Sequence, residues 1–196
     1  MGELVLVRHG QTEWSRERRH TGRTDLPLTE EGERQARALR PLLAERGFEL
    51  VLTSPLGRAV RTAELAGITD TAAHPDLAEW DYGAYEGVTT AEIHRDRPGW
   101  NLWTDGVPPG PPDHPGENPE QVGARADRVL VDAASALERG DVALVAHSHI
   151  LRALTARRLG LPPSGGALFR LDTGSVSTLG TEHGRSVITS WNRPGA

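Results

Sequence analysis

A chain of 196 residues is long enough for one domain with a substantial core, and a charged fraction of 25% beside a hydrophobic fraction of 37% fits a soluble globular protein. The formal net charge of −5 argues against a reader of nucleic-acid backbones, and the longest apolar runs fall far short of the roughly 18 residues that a membrane span needs. Cysteine is absent, which removes disulfides and thiolate nucleophiles; lysine is absent too, so all 22 basic residues are arginine and both Schiff-base and P-loop lysine chemistry are excluded.

The N-terminus "MGELVLVRHG" has no basic stretch followed by an apolar run of secretory length, so a cytoplasmic location and no membrane partner are expected. Leu4 to Val7 reads as a buried strand of the parallel kind. "PLTEEGERQARALRPLLAERG" predicts one amphipathic helix with Thr29 as N-cap, stopped by Gly47. "FELVLTS" predicts a second buried strand, and "SPLGRAVRTAELAG" a helix with Ser54 as N-cap and Pro55 at its first position. The pattern weakens between residues 70 and 120, where Pro and Gly accumulate; this stretch reads as a surface loop, with a lid-like insertion at about 80–120 of a single domain spanning 1–196. "PEQVGARADRVLVDAASALERG" then predicts a helix, "DVALVAHS" a strand, and "HILRALTARRLG" a helix closed by Gly160. The tail from Ala167 alternates as two or three further strands. Together these elements predict an α/β protein, a three-layer α/β/α sandwich around a mostly parallel central sheet.

In open α/β sheets, functional residues gather at the carboxyl ends of the strands. Those ends carry Arg8-His9-Gly10, then Thr53-Ser54 leading to Arg58, then His147-Ser148-His149. Arginines and histidines converging at one sheet edge make a hollow suited to an anion such as phosphate. Gly10 is expected to let the backbone turn closely past that guest. "HSH" lacks a nearby acidic motif with metal-ligand spacing, so no metal is assigned. A serine-hydrolase elbow at Ser148 fails on sterics, since Ile150 is β-branched where a small residue is needed.

With "LVRHGQTEW", "HTG" at His20 to Gly22, "TDLPLTEEG", "TSPLGRAVRTAE", "LAEWDYGAYEG" and "VAHSHILRAL" in this order, the chain resembles the histidine phosphatase superfamily, which also holds the cofactor-dependent phosphoglycerate mutases. The resemblance implies a phosphoglycerate mutase-like fold, with His9 as nucleophile, Glu79 as proton donor, and Arg8, Arg58 and His147 as phosphate-binding residues. It places Ser15, Thr21, Gly22, Tyr82 and Ser148 at the substrate. On chemical grounds alone Glu13, Asp81 and Glu86 rival Glu79 as the acid; the family pattern ranks Glu79 first. A nucleophilic histidine must be neutral, and burial near Trp80 is expected to raise the Glu79 pKa so that it carries a proton. The chain departs from the family pattern at Ser15, where many mutases have asparagine, and at Ser148, where glycine is frequent.

Hydrolysis is favoured over mutase-type phosphotransfer, because no arginine-rich insertion grips a second anionic group. The blocks "TEWS", "TDLPLT", "EWDYGAYEG" and "WNLWTDG" look most like the branch that includes fungal sedoheptulose bisphosphatase, which implies a small-molecule phosphate ester, a sugar phosphate, as partner. A phosphate-binding module without turnover is the reading from another class. No cofactor is implied, a homo-oligomeric state is left open, and Arg23, Arg95 and Arg97 are candidates for a second charged group on the substrate. Trp100 and Trp103 are expected to pack the central stretch onto the core.

Overall fold

In the computed structural model, which describes residues 2–195, Leu4–Arg8 forms strand β1. Its side chains alternate in direction, and both faces are covered. Leu4 and Leu6 enter one core cluster, while Val5 and Val7 enter a second. Strand β4, Asp141–Ala146, behaves likewise: Val142, Leu144 and Ala146 face the first cluster, Ala143 and Val145 the other. Uninterrupted apolar strands of this kind need a helical layer on each side, hence three layers.

On one face lie helices α2, Glu30–Ala38, and α4, Gly57–Leu65. On the other are α7, Pro119–Arg139, and α8, Ser148–Arg158. With β2 at Phe48–Thr53, β3 at Ala72–Ala73, β5 at Ser175–Glu182 and β6 at Arg185–Pro194, the six-stranded sheet runs β3-β2-β4-β1-β5-β6. β3, β2, β4 and β1 are mutually parallel, and β5 and β6 close the sheet antiparallel.

Several boundaries differ from the sequence expectation. The long helix after Thr29 breaks at Leu39, and a separate turn, α3, covers Arg40–Leu43. Pro41 explains the break: it has no N–H to donate and its ring crowds the carbonyl one turn earlier. Thr29 does cap α2, its Oγ1 accepting the Gly32 N–H at 3.0 Å, whereas Gly47 lies beyond the helical residues and leads into β2. Ser54 does not cap α4, whose N-cap is Leu56; the Ser54 hydroxyl accepts the Leu56 N–H at 3.3 Å in the turn before the helix. Asn118 caps α7 reciprocally with Gln121, and Gly160, at φ +77°, ends α8 as expected. The tail contributes two strands.

Between α4 and α7 the chain is less irregular than its composition suggests. Short helices α5, Thr90–Asp96, and α6, Leu102–Asp105, form there, and Thr89 and Glu92 make a capping box before α5. This stretch is anchored by aromatics: Trp80, Trp100 and Trp103 are buried in the first core cluster. The remaining short helix, α1 at Glu13–Arg16, is capped by Thr12. Among the described residues, no helix is long and apolar enough to cross a membrane.

One contact fixes the start of the site. Gly10 lies against Gly32 at the N-terminal end of α2, so closely that a Cβ on Gly10 would sit 2.2 Å from the Gly32 carbonyl oxygen, and one on Gly32 would sit 2.0 Å from that of Gln11. The glycine is therefore needed for helix-to-loop packing. Gly10→Ala is expected to lower stability by about 1–3 kcal/mol, the usual range for overpacking, read as a shift in the urea midpoint at unchanged m value.

Candidate active site

Parallel pairing sets Arg8 opposite Ala146 and Thr53 opposite Val145, so three strands end level with one another. The next residues emerge together. His9 continues the ladder with its N–H on the Ala146 carbonyl at 3.0 Å, and Ser54 does so on Val145 at 2.9 Å. The His9 and His147 rings stand edge to face, their centroids 5.0 Å apart.

His9 is buried, and its Nδ1 lies 2.7 Å from the Gly10 carbonyl oxygen. A carbonyl can only accept, so Nδ1 carries the hydrogen and Nε2 of the neutral ring carries the lone pair. Burial, and then the charges of Arg58 and Arg8, push the His9 pKa well below its ordinary value. Arg8 stands beside it. One guanidinium nitrogen donates to the Leu171 carbonyl, while the buried Nε has no partner among the described residues.

Arg58 and His147 form a layer behind His9. Arg58 is 1% exposed and donates to the carbonyls of Thr24 (2.8 Å), Gly22 (2.8 Å) and Thr21 (3.3 Å), so it pins the 21–24 loop. Its Nε donates to His147 Nδ1 at 3.1 Å. That bond makes Nδ1 an acceptor, which leaves Nε2–H of His147 to donate to the Ser54 hydroxyl at 2.7 Å. Burial and then the Arg58 charge push the His147 pKa well down, which favours the neutral ring.

Glu79 is buried opposite, at the N-terminus of α8. Its carboxylate accepts backbone N–H groups from Trp80 (2.9 Å), His149 (3.0 Å) and Ile150 (2.9 Å). Burial alone would raise this carboxyl; hydrogen bonding and the positive surroundings, His149 foremost, hold it well below the usual range. The His149 ring is a weak part of that hold, because burial lowers its own pKa and its Nδ1 stands 3.8 Å from the carboxylate while meeting the Tyr82 hydroxyl at 2.6 Å. The standing support is the backbone donors and the end of the helix. A raised Glu79 pKa was expected from the sequence; within the protein alone the group is a carboxylate.

Arg8, His9, Ser15, Thr21, Glu79, Tyr82 and Ser148 line one cleft of about 320 Å³. Arg58, His147 and Gly22 lie outside its wall, and Gly22 donates its N–H to the Glu86 carboxylate at 2.9 and 3.0 Å. The Ser15 hydroxyl is engaged in the cap of α1, donating to the Thr12 carbonyl at 2.9 Å. Arg23 pairs with Glu117 at 3.9 Å, and Arg23, Arg95 and Arg97 are absent from the wall. In their place stand Arg18, Arg19, Arg152 and Arg170, together with His20 and His149. Helical spacing from Ser148 would have found Arg152; Arg170 sits in a loop that carries no such signal. A larger hollow of about 570 Å³ lies against the N-terminal half of β2, away from the converging strand ends, and no histidine lines it.

Among the described residues, no group of three or more His, Cys, Asp or Glu side chains is placed to hold a metal ion. His147 and His149, adjacent in sequence to one another's serine, turn to different partners, Ser54 and Tyr82. The arrangement can receive a tetrahedral anion beside Arg8, with a neutral imidazole nitrogen as nucleophile and a carboxyl group in the same cleft.

Comparison with known proteins agrees in sequence and in shape. The model of the histidine phosphatase superfamily (branch 1) matches residues 4–194. The chain is 42% identical over 183 residues to an acid phosphatase of Mycobacterium tuberculosis, covering 92% of this chain and 87% of that protein. It is 33% identical over 189 residues to sedoheptulose 1,7-bisphosphatase of Saccharomyces cerevisiae, covering 80% of this chain and 67% of that protein. The solved structure of an open reading frame product of Mycobacterium tuberculosis superposes with a TM-score of 0.93 at 39% identity, covering 100% of this chain and 99% of that one.

The buried neutral histidines make stability depend on pH. His9 and His147 lie well below the ordinary 6.5, and burial, with His149 nearby, takes His20 to about 4. Below pH 6.5 the unfolded chain binds protons that the folded chain refuses, so their contribution is complete above 6.5 and declines as pH falls. Urea midpoints are expected to drop between pH 6.5 and 5, before most carboxylates titrate; a flat or rising midpoint in that window contradicts neutral histidines.

Proposed function

The chain belongs to the histidine phosphatase superfamily, branch 1, and on that premise we propose that it hydrolyses small phosphorylated metabolites by passing the phosphoryl group through Nε2 of His9. The observation that carries this reading is the His9 tautomer: Nδ1–H is fixed on the Gly10 carbonyl, and burial beside two arginines keeps the ring neutral. The nucleophile needs no separate base.

In the first step Nε2 attacks phosphorus, the ester P–O bond breaks, and its electron pair leaves on the alcohol oxygen. Arg8 meets charge on the phosphoryl oxygens with donors already in place, and the buried charge of Arg58 adds to the field from behind His9. The departing oxygen needs a proton, which Glu79 supplies. Since the protein holds Glu79 as a carboxylate, that proton enters with the substrate: a phosphate monoester has a second pKa near 6, and its negative charge beside Glu79 favours the protonated carboxyl. In the second step Glu79 takes a proton from water, the water oxygen attacks phosphorus, the N–P bond breaks, and His9 recovers its lone pair as phosphate leaves. The mechanism uses no metal ion.

A sugar phosphate is the proposed substrate class. Similarity to a sedoheptulose bisphosphatase supports it, as does a cleft whose polar wall of Ser148, Thr21 and Thr90 suits hydroxyl groups. Competing hydrolysis of sugar phosphates and 3-phosphoglycerate orders the candidates, and transfer of phosphate to a second bound acid would mark a mutase instead.

Hydrolysis of p-nitrophenyl phosphate is expected to survive excess chelator, and His9→Ala to cut kcat by about 10³-fold or more, as for other covalent nucleophiles, together with loss of an acid-labile phosphoenzyme. Retention of the phosphoenzyme in that variant would overturn the assignment. Because the His9 pKa is depressed, the acid limb of kcat/KM against pH is expected well below 6.5; a limb centred at 6.5 or above would mean the ring is not held neutral.

A further inference from the structure

Glu79 sits on a stretch that belongs to no helix or strand, yet the residue is almost fully buried. Buried irregular backbone needs partners for its carbonyls, and here one side chain provides them. Arg125, on α7 and 7% exposed, donates to the carbonyls of Asp76 (2.7 Å), Ala78 (2.7 Å) and Glu79 (3.3 Å). Its other donors grip both oxygens of Glu117, at 2.7 and 2.8 Å. Glu117 completes the hold: its carboxylate accepts the Asp81 N–H at 2.9 Å, its N–H donates to the Asp81 carbonyl at 2.9 Å, and its carbonyl accepts the Trp80 indole N–H at 2.9 Å.

A buried ion pair contributes little net stability, because desolvation offsets its attraction, so stability alone is a weak reason for this one. We infer that Arg125 and Glu117 are positioning residues for the proton donor, holding the Glu79 backbone from behind while the start of α8 holds its carboxylate. The inference rests on the proposed role of Glu79. Neither residue touches the cleft.

The test compares kcat/KM for glycerol 2-phosphate, whose alkoxide must be protonated to leave, with that for p-nitrophenyl phosphate, whose phenolate leaves unaided. Arg125→Gln is expected to lose on the order of 10²-fold on the alkyl ester, the scale of an ångström's misplacement, and only a few-fold on the aryl ester. Equal loss on both esters, in protein shown folded by its thermal transition, overturns the inference. Should Arg125→Gln not fold, Glu117→Gln carries the same comparison, since it keeps an acceptor for Arg125 while removing the charge. Glu79→Gln separates the two levels. If it shows no greater loss on the alkyl ester, the proton-donor reading itself fails; if it does and the Arg125 and Glu117 variants do not, only the positioning role fails.

Discussion

The parallel ladder between β1 and β4, with Arg8 opposite Ala146, is the constraint on which the other arrangements depend. Its register brings both chains to their ends at one level, so that two histidines distant in sequence stand ring against ring. The ladder can be buried on both faces because each strand presents apolar side chains to either side. A slip of one residue would exchange those faces and carry Arg8 to the opposite one. Core packing and site geometry are thus enforced by the same alternation.

Behind that edge the protein concentrates buried positive charge that the half-exposed carboxylate of Asp25, 3.5 Å from Arg58, only partly offsets. The Arg58 guanidinium is held mainly by backbone carbonyls, and Arg8 keeps one buried nitrogen unpartnered. Backbone carbonyls and a neutral histidine do most of the orienting, so the charge is largely in place before an anion arrives. The same field adds to burial in suppressing protonation of His9. Glu79 is held ionised by a separate cause, the backbone N–H groups of Trp80, His149 and Ile150.

Much of this is legible in the residues. Apolar strands followed by capped amphipathic helices announce the sheet and its layers, and the polar residues at strand ends announce where chemistry gathers. Other features leave no periodic trace. Pro41 divides a helix whose apolar spacing runs on unbroken through Leu42 and Leu43. Glu79 sits on irregular backbone, and only a family resemblance separates it from other acids. Its fate as a carboxylate follows from three N–H groups, two of them donated from 70 and 71 residues away, which no local pattern encodes. Arg125 is hidden for a compositional reason: where every basic residue is arginine, a buried one looks like the rest.

The contact of Gly10 with Gly32 lies directly after His9 in the chain. There two backbones already touch, and no side chain can be added at Gly10 without moving a helix. Much of the cleft wall is instead made of side chains outside the six-stranded sheet, among them Ser15, Arg18, Thr21, Thr90, Ser148 and Arg152. The strand ends are thus fixed by backbone packing, while much of the cleft wall is carried by side chains outside the sheet.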